Sequence, residues 1–208
     1  MKKLIIYGAS YPDILNLIKS INEKEKLWEV IGFLDDNKDI REIKGIPVLG
    51  DKSYLNSKNL QDVYFFNNIY KNTKTRKKIS DLISNVSTNI ANLIHPSVEL
   101  NNTSLGNGII INSYTYIGDY VSIHDHVAIR ANCHIGHNSI INKYSFIAPA
   151  ACVNGHCKIG EGVYFGSNSV INERLNVGDW ATVGSGSSVV KSIKSYSKVA
   201  GSPAKNIE

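Results

Sequence analysis

The sequence predicts a small α/β domain with a short parallel sheet, followed by a three-sided parallel β-helix built from six-residue repeats. Three observations carry this. Residues 1 to about 88 alternate strand patterns with helix patterns. From Leu93 to Val189 every sixth residue is apolar at sixteen of seventeen positions, with only Glu99 breaking the rule and no insertion. The residue four places after each apolar position is usually small or β-branched, as at Thr115, Val121, Ser139 and Ala181, and Gly often follows it directly, as at Gly118, Gly136 and Gly166. A period of six fits neither the 3.6 of a helix nor the 2 of a strand. It is the mark of a repeat in which three short strands make one coil.

The first domain, residues 1–90, reads in order. Lys3 to Tyr7 is a strand that runs into Gly8-Ala9-Ser10. Ile14, Leu15, Leu17, Ile18 and Ile21 form a helical stripe. Trp28 to Leu34 is a second strand ending at Asp35-Asp36, and Ile46 to Gly50 is a short extended piece. Asp62 to Phe66 is a further strand, and Lys77 to Ile83 lies on a helix. Strands alternating with helices imply a parallel, Rossmann-like sheet. In such sheets a ligand sits at the carboxyl ends of the strands, so Gly8-Ala9-Ser10 and Asp35-Asp36 stand at a nucleotide-binding edge. A full GxGxxG is absent, and Asp35-Asp36 suits a helix cap or a turn equally well.

A last strand, Ile90 to Ile94, leads into the second domain, residues 91–208, which runs as hexads. The sixth-position aliphatics point inward and stack on their equivalents 18 residues on, so that Ile117, Ile135, Val153 and Ile171 form one column and Ile123, Ile141, Ile159 and Val177 another. One coil cannot bury its own apolar face, so stability comes from stacking. Gly suits places where the corner needs positive φ or a close approach of backbones. After Val189 the repeat is expected to stop, with Lys191 to Lys198 a loop or tail and Gly201-Ser202-Pro203-Ala204-Lys205 closing the chain.

Composition excludes several classes. No apolar run approaches the roughly 20 residues that span a bilayer, and the start is too short in apolar residues for a signal peptide. Cys133, Cys152 and Cys157 lack CxxC spacing and read as reduced residues of a cytoplasmic protein. The net charge of +5 comes largely from lysines in the first 80 residues. Lys71, Lys74, Arg76, Lys77 and Lys78 cluster on one helix, read as a solvated face, with some steering of anionic substrates. No aromatic-interleaved basic motif points to nucleic acid. No two histidines are five apart, which argues against a zinc site of imidazoles on this scaffold.

The hexads resemble those of the hexapeptide-repeat acyltransferases, and that resemblance implies a left-handed coil. The order of parts is similar to that of the NeuD/PglD-type sugar acetyltransferases: a βαβ domain, then Ile94-His95-Pro96-Ser97, hexads, and Val199-Ala200-Gly201-Ser202-Pro203-Ala204-Lys205. The likeness covers essentially the whole chain. It implies an N-terminal domain that holds a nucleotide-linked amino sugar, acetyl-CoA as co-substrate with no metal, and a homotrimer with active sites between subunits. The family opening Tyr-Gly-Ala-Ser-Gly-His-Gly stands here as Tyr7-Gly8-Ala9-Ser10-Tyr11-Pro12-Asp13. Its Gly-His-Gly is lost, and Pro12 has no N–H to offer a pyrophosphate. The matching sugar-nucleotide positions are Ser10, Asp35, Asp36 and Gly50, and Tyr11 beside them is a further substrate-binding candidate.

Acetyl transfer from a thioester to an amine needs a base, a donor for the tetrahedral oxyanion, and two aligned substrates. Histidine suits the base role because it titrates near neutrality. The family's motif of a histidine, an Asp, Glu or Asn, and a following Ala-Pro stretch is matched by His137-Asn138 and Ile147-Ala148-Pro149. The resemblance therefore makes His137 the base and sets Asn138, which can orient the ring, where many relatives carry an acid. Asp119 lies eighteen residues before His137, so it should stack one coil away, and it is expected to supply the negative charge that an amide lacks. The resemblance places Phe146 against the pantetheine, where relatives often carry a second histidine. It gives the Gly155 N–H, or a water, the oxyanion, and Ser167 and Ser185 face CoA. The implied reaction is N-acetylation of the C4 amine of a dTDP- or UDP-linked 4-amino-4,6-dideoxyhexose for a surface polysaccharide, O-antigen or glycan. O-acetylation of a sialic-acid-type hydroxyl and a non-catalytic scaffold stay open.

Overall fold

The computed structural model describes residues 1–56, 60–70 and 72–207. The chain divides into two compact units, Met1–Leu93 and Ile94–Glu208.

In the first unit the strands are β1 (Lys2–Tyr7), β2 (Trp28–Leu34), β3 (Glu42–Ile43), β4 (Ile46–Gly50) and β5 (Val63–Asn67). They lie in the order β3-β4-β2-β1-β5. β1 pairs in parallel with β2 and β5, and β2 with β4. The edge strand β3 is antiparallel to β4, a hairpin whose two-residue first arm the sequence reading missed. Helix α1 (Ile14–Lys24) buries Ile14, Leu17, Ile18 and Ile21; Leu15 is half-buried. Helix α2 (Thr73–Val86) starts at Asn72, whose side chain accepts from the Thr75 N–H. That bond satisfies one of the orphan donors of the first turn.

The basic cluster on α2 needs one correction. Arg76 is fully buried rather than solvated. Its Nη1 donates to the carbonyls of Ile69 (2.7 Å) and Asn67 (3.3 Å), and its guanidinium lies 5.7 Å from the Tyr70 ring centroid. A buried guanidinium is tolerable only when such acceptors replace water. Lys77 pairs with Asp81 at 2.6 Å. Lys71 lies outside the described residues.

The second unit is a three-sided prism of two-residue strands. The first face holds Tyr116–Ile117, His134–Ile135, Cys152–Val153, Val170–Ile171 and Ser188–Val189. The second runs from Ser104–Leu105 through Ile140–Ile141 to Asn176–Val177, and the third from Ile110–Ile111 through Phe146–Ile147 and Tyr164–Phe165 to Lys198–Ala200. Ile117, Ile135, Val153 and Ile171 pair in register, as do Ile123, Ile141, Ile159 and Val177. The interior is almost entirely aliphatic.

The corners distribute glycine differently from its usual role. Positive φ recurs at Tyr120, His126, Asn132, Asn138, Tyr144, Ala150 and His156, with φ between 58° and 63°. Most of these positions carry a side chain, at a cost of about 1–2 kcal/mol each. Burial of one inward aliphatic per corner contributes about 1.5–3 kcal/mol and outweighs that cost. Gly136 serves the close approach instead: a Cβ there would meet the Gly155 nitrogen at 2.5 Å.

The repeat does not end at Val189. Ile193 bridges to Val177 and Lys198–Ala200 extends the third face from Thr182–Val183. Both steps span 16 residues instead of 18, so a strict six-residue count loses the phase. The chain then folds back through Lys205–Asn206, antiparallel to Lys198–Ala200.

Candidate functional site

A cleft of about 370 Å³ in the first unit opens at the carboxyl ends of β1, β2 and β5. It brings together Ser10, Tyr11, Asp35 and Asp36, and adds Tyr7, Asn68, Tyr70, Asn72 and Thr75. Gly50 is tied to it through its carbonyl, which accepts from the Asp35 N–H at 3.0 Å. The two aspartates do different work. Asp35 accepts from the N–H groups of Ala9 (2.8 Å) and Asn37 (2.9 Å), so it clamps the loop after β1 and forms a turn. Asp36 accepts from the Tyr7 hydroxyl at 2.9 Å. Burial, and then that bond, pushes the Tyr7 phenol well above its ordinary range, so it stays protonated and donating.

The stretch Tyr11-Pro12-Asp13 closes on itself. The N–H groups of Ile14, Leu15 and Asn16 are taken by the carbonyls of Tyr11, Pro12 and Asp13, so the opening turn of α1 offers little to an anion. The loop is held from across the cleft instead. Asn68 donates to the carbonyls of Gly8 (3.0 Å) and Tyr11 (3.1 Å), and the Tyr70 hydroxyl donates to the Asn68 side-chain oxygen. The sequence reading missed Asn68 and Tyr70. A polar pair directly after a strand that ends at the ligand edge was the available signal.

In the second unit His137 stands exposed on the corner between the first and second faces. Its Nδ1 lies 2.9 Å from the Asn138 side-chain oxygen. An oxygen there fixes the proton on Nδ1 and leaves Nε2 with its lone pair, the tautomer a general base needs. Nε2 sits over Gly155, where a Cβ would meet it at 2.9 Å.

The Gly155 N–H makes no hydrogen bond among the described residues. At the corner between the second and third faces, the N–H groups at the same place in the hexad, those of Asn107 and Glu161, are captured by Asp125 (3.0 Å) and Asp179 (2.8 Å). A base nitrogen and an unspent donor therefore stand beside each other. Asp119 contributes through its backbone carbonyl, which accepts from the Asn138 N–H at 2.9 Å. Its carboxylate accepts from the Asn102 amide at 3.3 Å and makes no hydrogen bond to His137 among the described residues. The ring of His156 also packs against His137, at 4.9 Å between centroids.

The other positions lie elsewhere. Ser167 and Ser185 follow Phe165 and Val183 at the corner between the third and first faces. Phe146 is buried on the third face and stacks on Tyr164 at 5.3 Å. Within one chain neither meets the His137 corner: the first face lies between it and the serines, and the second face between it and Phe146. Among the described residues no group of His, Cys, Asp and Glu could hold a metal ion, and no helix is long and apolar enough to cross a membrane.

Residues 3–83 match the family described as the PglD N-terminal domain. Among solved structures, the acetyltransferase domain of PglB from Neisseria gonorrhoeae FA1090, in complex with acetyl coenzyme A, is 24% identical over 99% of this chain and 99% of its own, with a TM-score of 0.90. A mutant of perosamine N-acetyltransferase from Caulobacter crescentus, in complex with CoA and GDP-perosamine, is 21% identical over 99% of this chain and 97% of its own, with a TM-score of 0.89. WeeI from Acinetobacter baumannii AYE is 22% identical over 98% and 99%, with a TM-score of 0.79. No curated protein matches the chain. At these identities the likeness establishes the fold: an α/β unit followed by a left-handed parallel β-helix.

Proposed function

We propose that this chain, whose residues 3–83 match the PglD N-terminal domain, is an acetyl-CoA-dependent acetyltransferase acting on the C4 amine of a nucleotide-linked 4-amino-4,6-dideoxyhexose. The observation that carries the reading is the His137 corner, where Nδ1 is locked on Asn138 and Nε2 sits over the unspent Gly155 N–H. The neutral amine attacks the acetyl carbonyl, and His137 Nε2 takes its proton. The Gly155 N–H stabilises the oxyanion that forms. Collapse breaks the C–S bond, and the proton on His137 passes to the departing CoA thiolate. No nucleophilic side chain is needed.

The cleft beside Ser10, Tyr11, Asp36, Asn68 and Tyr70 takes the nucleotide. Ser167, Ser185 and Phe146 line the CoA path. Since one chain keeps these residues on edges away from His137, the site is shared between copies, which supports a homotrimer. The relative solved with CoA and GDP-perosamine carries ligands of the same two classes. The product serves a surface polysaccharide or glycan, made in the cytoplasm where both substrates are supplied.

The test is CoA release from acetyl-CoA with a panel of dTDP-, UDP- and GDP-linked amino sugars, with sialic acid as the hydroxyl acceptor. Turnover with a nucleotide-linked 4-amino sugar is expected. Turnover with sialic acid alone would replace amine transfer by hydroxyl transfer, and no turnover with any acceptor would overturn the reading.

A further inference from the structure

The His137 corner carries a second imidazole that the reaction above leaves idle. The ring of His156 stands edge-on to that of His137, with centroids 4.9 Å apart and planes at 85°. The two residues are also joined through the backbone, the His156 N–H donating to the His137 carbonyl at 2.9 Å. His156 occupies a left-handed corner position, φ 60°, one coil on from Asn138. So His137 is held by Asn138 at Nδ1 and met by His156 from the next coil, with Gly155 beneath its Nε2.

We propose that His156 is a positioning residue that acts through His137. Its ring edge keeps the His137 plane in the orientation that sets Nε2 over Gly155, and its charge opposes protonation of His137. This rests on reading His137 as the base. Two imidazolium charges at this separation repel even in a water-like dielectric, by the equivalent of roughly half a pH unit.

Other charges stand around the pair. Asp119 precedes His137 by one coil, Glu173 and Arg174 follow His156 by one coil, and His134 and Lys158 lie on the flanking strands. All of them remain in place when His156 alone is changed, so the difference between variants isolates its contribution.

The experiment follows the histidine Cε1–H signals of the full chain by NMR across pH 5–9, with His137 assigned by its loss in His137→Gln. The variants are His156→Phe, which keeps a ring edge without charge, and His156→Gln, which removes both. Aromatic side chains occupy the same kind of corner at Tyr144 and Trp180, so the phenylalanine suits the backbone; circular dichroism checks the fold. His137 is expected to titrate roughly half a unit higher in both variants than in the parent chain. The acid limb of kcat/KM should move up with it. The high-pH plateau should be severalfold lower for His156→Gln than for His156→Phe, with KM for acetyl-CoA unchanged in both. A His137 titration that stays put or falls in both variants overturns the proposal. The titration needs no substrate, so absence of turnover with every acceptor would count against the transferase reading and leave this result to be judged alone.

Discussion

The side-chain oxygen of Asn138 meets His137 Nδ1 at 2.9 Å, and the Asn138 backbone N–H is itself anchored to the Asp119 carbonyl. A neutral oxygen orients the ring without stabilising its cation. Asn138→Asp would add a negative charge at the same atom and favour the imidazolium. The acid limb of the kcat/KM profile should therefore shift to higher pH by about 1 unit, with activity lost near pH 6.5 and retained near pH 9. A profile that moves down, or not at all, would contradict the orientation assigned to the ring.

Gly155 is the floor under that ring. Its φ is outside the left-handed region, so Gly155→Ala brings no backbone strain. The added Cβ would stand 2.9 Å from Nε2 and drive the ring off the donor. Turnover is expected to fall on the order of 10²–10³-fold with the melting temperature little changed.

Gly136 differs, because what its Cβ would strike is backbone. The contact at 2.5 Å to the Gly155 nitrogen can be relieved only by parting two coils. Gly136→Ala should destabilise by about 1–3 kcal/mol, read as a lower urea midpoint with the slope unchanged.

Asp125 links two coils by accepting from the Asn107 N–H at 3.0 Å and pairing with Lys143 at 2.9 Å. Burial raises its pKa, but the Lys143 and Asn107 bonds outweigh it and hold the carboxyl below its usual range. A depressed folded-state pKa means stability that is present above the unfolded value near 4 and lost as pH falls through the folded one. Asp125→Asn should therefore lower the urea midpoint at pH 7, and the gap to the parent chain should close as pH drops below about 4. A gap independent of pH would assign the effect to shape alone.

Much of this architecture was legible in the residues. The six-residue count forces the three columns, and Lys3–Tyr7 and Trp28–Leu34 announce their strands by being rich in apolar and β-branched residues. The candidate base His137 comes from the resemblance and its register two places past Ile135, and the structure sets it exposed at a corner beside Asn138. The remainder depends on contacts that sequence distance hides. Arg76 reads as one more cation on a polar helix, and only the carbonyls of Asn67 and Ile69 make its burial tolerable. His156 is eighteen residues plus one from His137, a separation that becomes a ring contact only once the coil geometry is fixed. The continuation through Ile193 and Val199 was lost because the last coil is shortened.

The central claim is that His137 Nε2 removes the proton from the attacking amine. Single-turnover transfer from acetyl-CoA to the preferred nucleotide amino sugar, with parent chain and His137→Ala at pH 8, tests it most directly. The account predicts a fall in the transfer rate on the order of 10²–10⁴-fold with the fold intact. Transfer at the parent rate in His137→Ala would contradict it.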